Sequence, residues 1–381
     1  MTKARAHDLE RQIDRLRKTL RIAVIHGGDK TQQDSVIHPA VNSRAWKSYE
    51  TVAHDIAEAL CRLGFRQVCV LPENMRLGDE MKRRDIHLAW LNSGGVQGYN
   101  PVAHGPSMLE MMGIPYVGHD PLTASTLDNK HIFKQALLAL ELPTSPFITW
   151  NGDYGRFDAA REVRFGHAFG DYAGPFVVKP VSGRASLNVH VVDRIGDLAD
   201  VLQEIWQKTQ NLALIERYLP GREYAIAVAG RIVSQGRTLV RGADPFVFSP
   251  VERLLKPEER IFTSMDRSPI SADRFRVLDM GEAPSLVNLA HRVFTDAHLR
   301  TLVRVDMRAD EQGRLFILEA NPKPDLKAPS ESVTSLVCAG LDDHGMDYDD
   351  LILSLLAERV DVLVNHPLMA VRHLRELATA A

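Results

Sequence analysis

Residues 304–321 read RVDMRADEQGRLFILEAN, in which two runs of alternating polar and apolar residues flank a polar turn. The first run predicts a strand over residues 301–308, because a period of two is typical of a half-buried strand. Residues 309–313 contain turn-forming residues, and residues 314–320 predict a returning strand. The sequence therefore predicts an antiparallel β-hairpin.

The predicted hairpin gathers polar side chains on one face. Alternation along each strand places on that face Arg304, Asp306, Arg308, Ile317, Glu319 and Asn321. Two carboxylates and one amide oxygen therefore converge beside an arginine. Such hard oxygen ligands suit Mg²⁺, which binds few protein groups and takes further ligands from water and substrate phosphates, and Mn²⁺ accepts the same ligands. A solvated hairpin with alternating charge has the same pattern, so the hairpin alone leaves both interpretations open.

Two further segments carry weaker signals for a nucleotide. Lys179 ends an apolar strand, and the small residues from Ser182 to Ser186 form a loop whose backbone N–H groups can contact phosphates. A lysine at a strand edge with its ammonium group in water fits equally well. Glu216 ends another strand and leads into residues 219–223, which offers a purine a backbone edge, although an ordinary domain link has the same pattern. The standard glycine-rich phosphate motifs are absent.

Composition limits the possible partners. The 381 residues are 45% hydrophobic and 25% charged, as in a soluble globular protein, and a net charge of −3 gives no reason to expect a nucleic acid. No apolar run approaches the roughly 20 residues that cross a membrane, and residues 1–20 do not resemble a secretory signal. Three cysteines without metal-ligand spacing favour buried thiols and a cytoplasmic location.

Alternating strands and helices predict an α/β fold that becomes α+β toward the C-terminus. The predicted organisation has an amphipathic helix over 1–20, a Rossmann-like domain over 21–119, a central subdomain over 120–215, and a C-terminal subdomain with terminal helices over 216–381. The first helix is expected to dock on the first domain or to serve in dimerisation. We also predict an aperiodic insertion over 151–173 and late helices over 332–339 and 347–356.

Several short motifs occur in an order and at a spacing similar to those of one family. They are Met112-Gly113-Ile114-Pro115-Tyr116-Val117-Gly118, Asp128-Asn129-Lys130, Val178-Lys179-Pro180, Glu216, Pro220-Gly221-Arg222-Glu223, Arg304-Val305-Asp306 and Glu319-Ala320-Asn321. The chain thereby resembles the ATP-grasp superfamily and, within it, the D-alanine–D-alanine ligases, from the first strand to about Ser330. The resemblance implies a three-domain ATP-grasp fold with ATP between the central and C-terminal subdomains, and it implies a homodimer.

The resemblance also implies roles for single residues. ATP contacts are implied for Lys130, Lys179, Ser186, Glu216, Arg217, Leu219 and Glu223. The two lysines resemble phosphate ligands, and the serine falls in the phosphate loop. Glu216 resembles the acceptor of the adenine amino group, the two residues near it supply backbone contacts, and Glu223 resembles the acceptor of the ribose hydroxyls.

Metal and substrate contacts are implied at the hairpin and beyond it. Asp306, Glu319 and Asn321 resemble magnesium ligands, and Arg304 resembles the arginine that stabilises a developing oxyanion. Ser330 aligns with a serine that holds the carboxylate of the second amino acid. In the chemistry that this implies, a carboxylate attacks the γ-phosphate of ATP to give an acyl phosphate, and an amine then attacks the acyl carbon.

Three departures from the family pattern concern the substrates. The serine and glutamate that follow the first glycine pair in the ligases are absent after Gly28, and Ala185 replaces a serine linked to that glutamate. Asp325 aligns with a glycine, and an added carboxylate there suits an amine or a cationic acceptor unless Lys323 or Lys327 neutralises it. The lid over the phosphates is expected within residues 246–267, with Arg253 or Lys256 as its basic contact.

We therefore expect a carboxylate–amine ligase that acts on small substrates other than two D-alanines. The alternatives are a divergent but genuine D-alanine–D-alanine ligase of cell-wall synthesis and a catalytically silent ATP-binding protein. A dehydrogenase is disfavoured because its glycine fingerprint is missing.

Overall fold

Helices and strands alternate through the first part of the chain, and antiparallel strands dominate after it. The computed structural model describes residues 4–39, 48–183, 188–262, 271–330, 335–366 and 371–379. The strands are β1 Ala4–Arg5, β2 Arg21–Gly27, β3 Gln67–Glu73, β4 Leu88–Asn92, β5 Tyr116–Val117, β6 Phe147–Trp150, β7 Phe176–Pro180, β8 His190–Val192, β9 Ala213–Arg217, β10 Glu223–Ala229, β11 Ile232–Gln235, β12 Thr238–Arg241, β13 Phe246–Val247, β14 Val251–Arg253, β15 Phe275–Val277, β16 Val303–Ala309 and β17 Leu315–Asn321.

The helices separate and cover these strands. They are α1 His7–Thr19, α2 Glu50–Arg62, α3 Leu77–Arg83, α4 His104–Met112, α5 Pro121–Asp128, α6 Lys130–Ala139, α7 Val163–Phe169, α8 Leu198–Thr209, α9 Pro284–Asp296, α10 Tyr348–Asn365 and α11 Arg372–Thr379. Short 3₁₀ helices lie at Pro101–Ala103, Gly152–Tyr154, Ile195–Asp197, Ala272–Arg274 and Asp342–His344.

A parallel sheet forms the N-terminal part, with the strand order β3-β2-β4-β5. Its central strand β2 is buried from Ile22 to Gly27, as expected for a strand covered on both faces. The chain leaves β2 for β3 on one side and returns to β4 on the other. Loops after β2 and β4 therefore open at the carboxyl edge of the sheet, where such folds bind ligands. This topology confirms the predicted α/β class.

The second sheet is antiparallel, with the order β6-β9-β7-β8. The prediction of an aperiodic insertion over residues 151–173 is wrong for its second half, which contains α7. Phe165 and Phe169 lie one helical turn apart and both pack against Phe176. The four-residue spacing of these phenylalanines was the available signal for a helix.

The third sheet carries the predicted hairpin and has the order β15-β14-β10-β16-β17, with β13 paired to β10. Helix α9 covers its apolar face through Leu286, Val293 and Phe294, which are buried. The opposite face carries charged residues, among them Asp306, beside the apolar Ala225. Helix α6 contacts β17, so the central and C-terminal parts meet at the hairpin.

Helix α10 lies inside the molecule. All of its residues from Tyr348 to Ala357 are buried, and it packs against α2, β11 and α11. Its first turn has a capping box, in which the Asp347 and Asp350 side chains accept hydrogen bonds from each other's backbone N–H groups. The helix extends well beyond the predicted end at residue 356. The other late helix, predicted over 332–339, is not seen among the described residues there, where 336–339 form turns.

Helix α1 docks on the core of the chain, through the buried residues Leu9, Ile13 and Leu16. The same apolar cluster reaches Ala378 near the C-terminus and therefore crosses the predicted domain boundaries, whose positions stay a prediction. Within the described residues, no helix combines the length and apolarity that a membrane crossing requires.

Candidate active site

Strands β16 and β17 form the predicted hairpin, and they place Asp306 opposite Glu319 and Arg304 opposite Asn321. The register shifts between Asp306 and Met307 because β17 contains one extra residue, Leu318. The expectation that Ile317 shares the polar face is therefore wrong, since it pairs with Met307 and both side chains lie in the core. Asp306 and Glu319 thus form a cross-strand pair just before the shift in register.

Asp306 is buried and held by two arginines. Arg304 donates from Nε and Nη2 to the two carboxylate oxygens at 2.7 and 2.9 Å, and Arg253 Nη2 donates to Oδ2 at 2.9 Å. The side-chain nitrogen of Asn321 lies 3.3 Å from the same oxygen. In this arrangement the negative charge of Asp306 is fully compensated by the chain itself.

Arg253 joins Asp306 to Glu223, whose Oε1 accepts from Arg253 Nη1 at 2.7 Å. Burial lowers the pKa of the Arg253 guanidinium, but the two carboxylates outweigh burial and raise the pKa above its usual range. Of the two basic residues expected from the lid, Arg253 therefore lies in the site, whereas Lys256 is exposed. The second oxygen of Glu223 lies 3.4 Å from Arg308 Nη1.

Glu319, the second carboxylate of the hairpin, pairs with Lys130. The ammonium group of Lys130 lies 3.0 Å from Glu319 Oε2. Burial raises the pKa of Glu319, but Lys130 and the more distant Lys179 outweigh burial and bring the pKa to about 2. The carboxylate is thus ionised at neutral pH, as a metal ligand must be.

Glu216 pairs with two lysines. Lys179 Nζ contacts its Oε1 in a short ion pair, and Lys134 Nζ lies 3.0 Å from its Oε2. Burial raises the pKa of Glu216, yet Lys134 and Lys179 together bring the pKa to about 2. Burial lowers the pKa of Lys134 below its ordinary value, whereas Lys179 has its pKa raised because Glu216 and Glu319 outweigh its burial.

Lys134 is a functional candidate that the sequence analysis missed. It lies one turn after Lys130 on α6, and its side chain is 0% exposed between the buried Phe133 and Leu137. A lysine among the apolar positions of an amphipathic helix was the signal, because a buried ammonium group needs a partner.

A cavity of about 100 Å³ lies between β7, β9 and the hairpin, and the charged groups of the site described above line it, except Lys134 and Arg304. Its apolar lining is formed by Val177, Val189, Leu219, Ile261, Phe262 and Leu318. Lys130, Lys179, Glu216, Arg217 and Glu223 line the same cavity. The structure therefore brings together, around one space, the described residues for which ATP contacts are predicted. An apolar pocket with a few convergent polar groups is typical of a small-molecule site.

A second cavity of about 160 Å³ lies on the other side of Asp306 and Glu319. It shares Lys130 and Arg253 with the first cavity and ends at Tyr49, Lys323 and Asp325. Lys323 Nζ lies 3.4 Å from the centroid of the Tyr49 ring, within the range of a cation–π contact. The metal-ligand candidates thus stand between two adjoining spaces.

Among the described residues, one predicted site residue is not brought into these cavities. Ser330 is exposed and lines neither of them. Ser186 and the neighbouring Ala185 lie outside the described residues. The roles predicted for these residues stay predictions. Asp325, by contrast, lines the second cavity, and its Oδ1 accepts the backbone N–H of Lys327 at 3.2 Å.

The donor set at the hairpin fits Mg²⁺. Asp306 and Glu319 are cross-strand neighbours, and the side-chain amide of Asn321 contacts the carboxylate of Asp306. In the described part of the chain there is no group of three or more His, Cys, Asp or Glu suited to a metal ion. Two carboxylates and an amide match an ion that takes further ligands from phosphates and water, and they do not match a structural zinc site.

Comparison with known proteins gives a consistent picture. Residues 137–357, more than half of the chain, match the family model described as D-ala D-ala ligase C-terminus. The chain is 26% identical to a D-alanine–D-alanine ligase of Pseudomonas putida over 361 residues, covering 91% of this chain and 97% of that protein.

Solved structures show the same fold. A D-alanine–D-alanine ligase from Bacillus anthracis complexed with ATP superposes with a TM-score of 0.63 at 19% identity, over 90% of this chain and 98% of that one. The VanG D-Ala:D-Ser ligase of Enterococcus faecalis has a TM-score of 0.63 at 14% identity, and the match covers 89% of this chain and 99% of that one.

Proposed function

The chain belongs to the D-alanine–D-alanine ligase family of ATP-grasp proteins, and from this premise we propose that it joins a carboxylate to an amine at the expense of ATP. The observation that carries the proposal is the pairing of Asp306 and Glu319 with Arg304 and Lys130 at the wall between two cavities. One cavity suits a nucleotide and the other suits the substrates that react with it.

We propose that the lysines change partners when ATP binds. Lys130 and Lys179 now neutralise Glu319 and Glu216, and the phosphates of ATP offer them a stronger negative charge. Asp306, Glu319 and Asn321 would hold Mg²⁺, which supplies charge neutralisation on the transferring phosphoryl group.

The reaction then takes two steps. A substrate carboxylate oxygen attacks the γ-phosphorus, the bond to the β-phosphate oxygen breaks, and ADP and an acyl phosphate form. The amine attacks the acyl carbon, inorganic phosphate leaves, and the amine loses a proton to give the amide. Arg304, at the edge of the second cavity, donates to the oxyanion that develops in this second step.

We propose further that the substrates are not two D-alanines. The serine and glutamate expected after Gly28 are absent, and Asp325 adds a carboxylate to the end of the second cavity. Asp325 favours an acceptor that carries a positive charge, whereas Lys323 at the same end of the cavity lies over the Tyr49 ring. The name of the Enterococcus faecalis relative gives D-serine as its second substrate, so acceptors other than D-alanine occur on this fold.

The second candidate is a genuine D-alanine–D-alanine ligase, which the names of the curated relatives favour. Incubation of the purified protein with ATP, Mg²⁺ and D-alanine, followed by mass spectrometry of the product, distinguishes the two candidate functions. We expect little D-alanyl-D-alanine, and ADP release with another pair from a panel of amino acids and amines. Robust D-alanyl-D-alanine formation would contradict the substrate proposal. A lack of ATP binding would contradict the ligase function itself.

A homodimer and a cytoplasmic location complete the proposal as predictions from the family resemblance and from the cysteine content.

A further inference from the structure

Glu216 has a cation on each of its carboxylate oxygens, and the two cations lie in different surroundings. Lys179 contacts Oε1 and lines the first cavity. Lys134 contacts Oε2 from the other side and is completely buried, and it does not line that cavity. A ligand in the cavity can therefore reach the first lysine and not the second.

Lys134 is fixed by groups that no ligand contacts. Its ammonium group donates to Thr144 Oγ1 at 2.5 Å and to Ser145 Oγ at 3.2 Å. Thr144 in turn donates to the carbonyl of Ile317 on β17 at 2.9 Å. Ser145 Oγ also lies 3.4 Å from Glu216 Oε2. Lys134 is therefore held beside Glu216 by the packing of α6 against β17.

The proposed function requires Lys179 to move toward the phosphates of ATP, while the buried carboxylate of Glu216 still needs a cation. Phosphates in the cavity attract the Lys179 ammonium away from Glu216. A buried carboxylate that loses its only cation is strongly destabilised, so such a move is unfavourable unless another cation remains. Lys134 is that cation, because its position does not depend on what occupies the cavity.

We infer that Lys134 is the permanent counter-ion of Glu216, a positioning residue that lets Lys179 move to a bound phosphate while Glu216 stays ionised and in place. The inference rests on the proposed function, since it requires a nucleotide in the first cavity. It assigns a role to a residue that touches neither the nucleotide nor the substrates.

The inference predicts a penalty that depends on the phosphates. In a complex with adenosine, Lys179 stays on Glu216, and loss of Lys134 leaves the carboxylate with one cation. In a complex with ATP, Lys179 moves to the phosphates, so loss of Lys134 deprives the Glu216 carboxylate of its last cation. We expect Lys134→Gln to weaken the binding of ATP with Mg²⁺ by about tenfold or more and to change adenosine binding by less than about threefold.

Calorimetric titration of adenosine and of ATP with Mg²⁺ tests this on the full-length protein. Lys134→Met serves as a second variant, and Lys208→Met is the matched control, because Lys208 forms an exposed ion pair with Glu204. Equal losses for both ligands, or no loss for either, would overturn the inference. A wild-type protein that does not bind ATP would instead overturn the proposed function.

A variant that leaves Lys134 intact gives an independent test should both Lys134 variants fail to fold. Lys179→Met removes the mobile lysine, so ATP binding should weaken by about tenfold or more while adenosine binding persists, because Lys134 still pairs with Glu216. If Lys134→Gln does fold, adding it to Lys179→Met should weaken the binding of adenosine and of ATP equally. Loss of adenosine binding in Lys179→Met alone would show that Lys134 does not suffice as a counter-ion.

Discussion

Asp306 illustrates how charge is balanced in the site at the scale of single residues. Arg304 donates to both of its oxygens and Arg253 donates to Oδ2, so two guanidinium groups crowd Oδ2, where a metal ion would also bind. A dication and these donors compete for the same lone pairs. A metal ion that binds Oδ2, which contacts both arginines, therefore requires at least one of them to withdraw.

Arg253 is the arginine that we expect to withdraw, because its other partner Glu223 lies on the nucleotide side. Arg253→Met should raise the affinity of the nucleotide-free protein for Mn²⁺ by about tenfold, since a carboxylate freed of a cation binds a metal more tightly. Mn²⁺ titration followed by electron paramagnetic resonance measures this. An unchanged affinity would show that Arg253 does not compete with the metal.

Arg304 has a different expected role, that of a donor to the oxyanion. Arg304→Ala should lower kcat by about a hundredfold to a thousandfold, as is typical of one lost oxyanion donor, while the Kd for ATP changes little. Steady-state kinetics and ATP titration measure the two effects. Arg314→Ala, in the turn of the same hairpin and paired with Asp310, is the control. A variant that keeps more than about a tenth of the rate would exclude this role.

At the scale of secondary-structure elements, the hairpin and α6 act together. Lys130 on α6 reaches Glu319 on β17, and Lys134 one turn later reaches Glu216 on β9. One short helix thus fixes both sides of the first cavity. The alternation around Asp306 was enough to predict the hairpin. The bulge at Leu318 was not predictable, because it depends on the pairing partner of each strand and not on the strand's own sequence.

Helix α10 depends on its capping residue Asp347, which also pairs with Arg237 at 2.6 Å. Asp347→Ala should lower the free energy of unfolding by about 1 kcal/mol, the usual value of a lost N-cap. The hydrogen bond from Arg237 and those from the backbone hold the pKa of Asp347 below its ordinary value, although burial opposes them.

The sign of this pKa shift fixes the pH dependence. The contribution of Asp347 to the free energy of unfolding is fully present above its pKa of about 3.9 in the unfolded chain. It is lost as the pH falls through the lower pKa of the folded chain. Urea unfolding at pH 7 should therefore separate wild type from Asp347→Ala, and the separation should shrink near pH 3. Asp14→Ala, at an exposed ion pair of α1, should show a difference of less than about 0.5 kcal/mol. An equal separation at both pH values would contradict the assigned cause.

At the scale of the whole molecule, the cleft joins parts of the chain that are far apart in sequence. Lys130, Glu216 and Asp306 come from three regions and meet at one cavity. A ligand that bridges them binds the folded chain alone, so AMP-PNP with Mg²⁺ at about 100 times its Kd should stabilise the protein by about 2.7 kcal/mol. Thermal unfolding should show a rise in Tm of a few degrees that EDTA largely removes. No rise would mean that the cleft does not bind the nucleotide.

The sequence was most informative where local pattern and chemistry coincide, as at Lys179 and Glu216, each of which is the second-last residue of a strand. It was least informative where a partner lies far along the chain. The contact of Lys134 with Glu216 and that of Arg253 with Asp306 join residues 82 and 53 positions apart, and no local period indicates either. The extent of α10 was missed for the same reason, since its faces are buried by separate parts of the chain.

The buried position of α10 also has a consequence for synthesis on the ribosome. Helix α2 packs against α10, and between Arg62 and Tyr348 a ribosome needs roughly 15–60 s at a typical elongation rate. During that interval α10 does not yet cover the surface of α2 against which it packs in the folded protein. That face of α2 is thus exposed to chaperones and proteases until α10 has been synthesised.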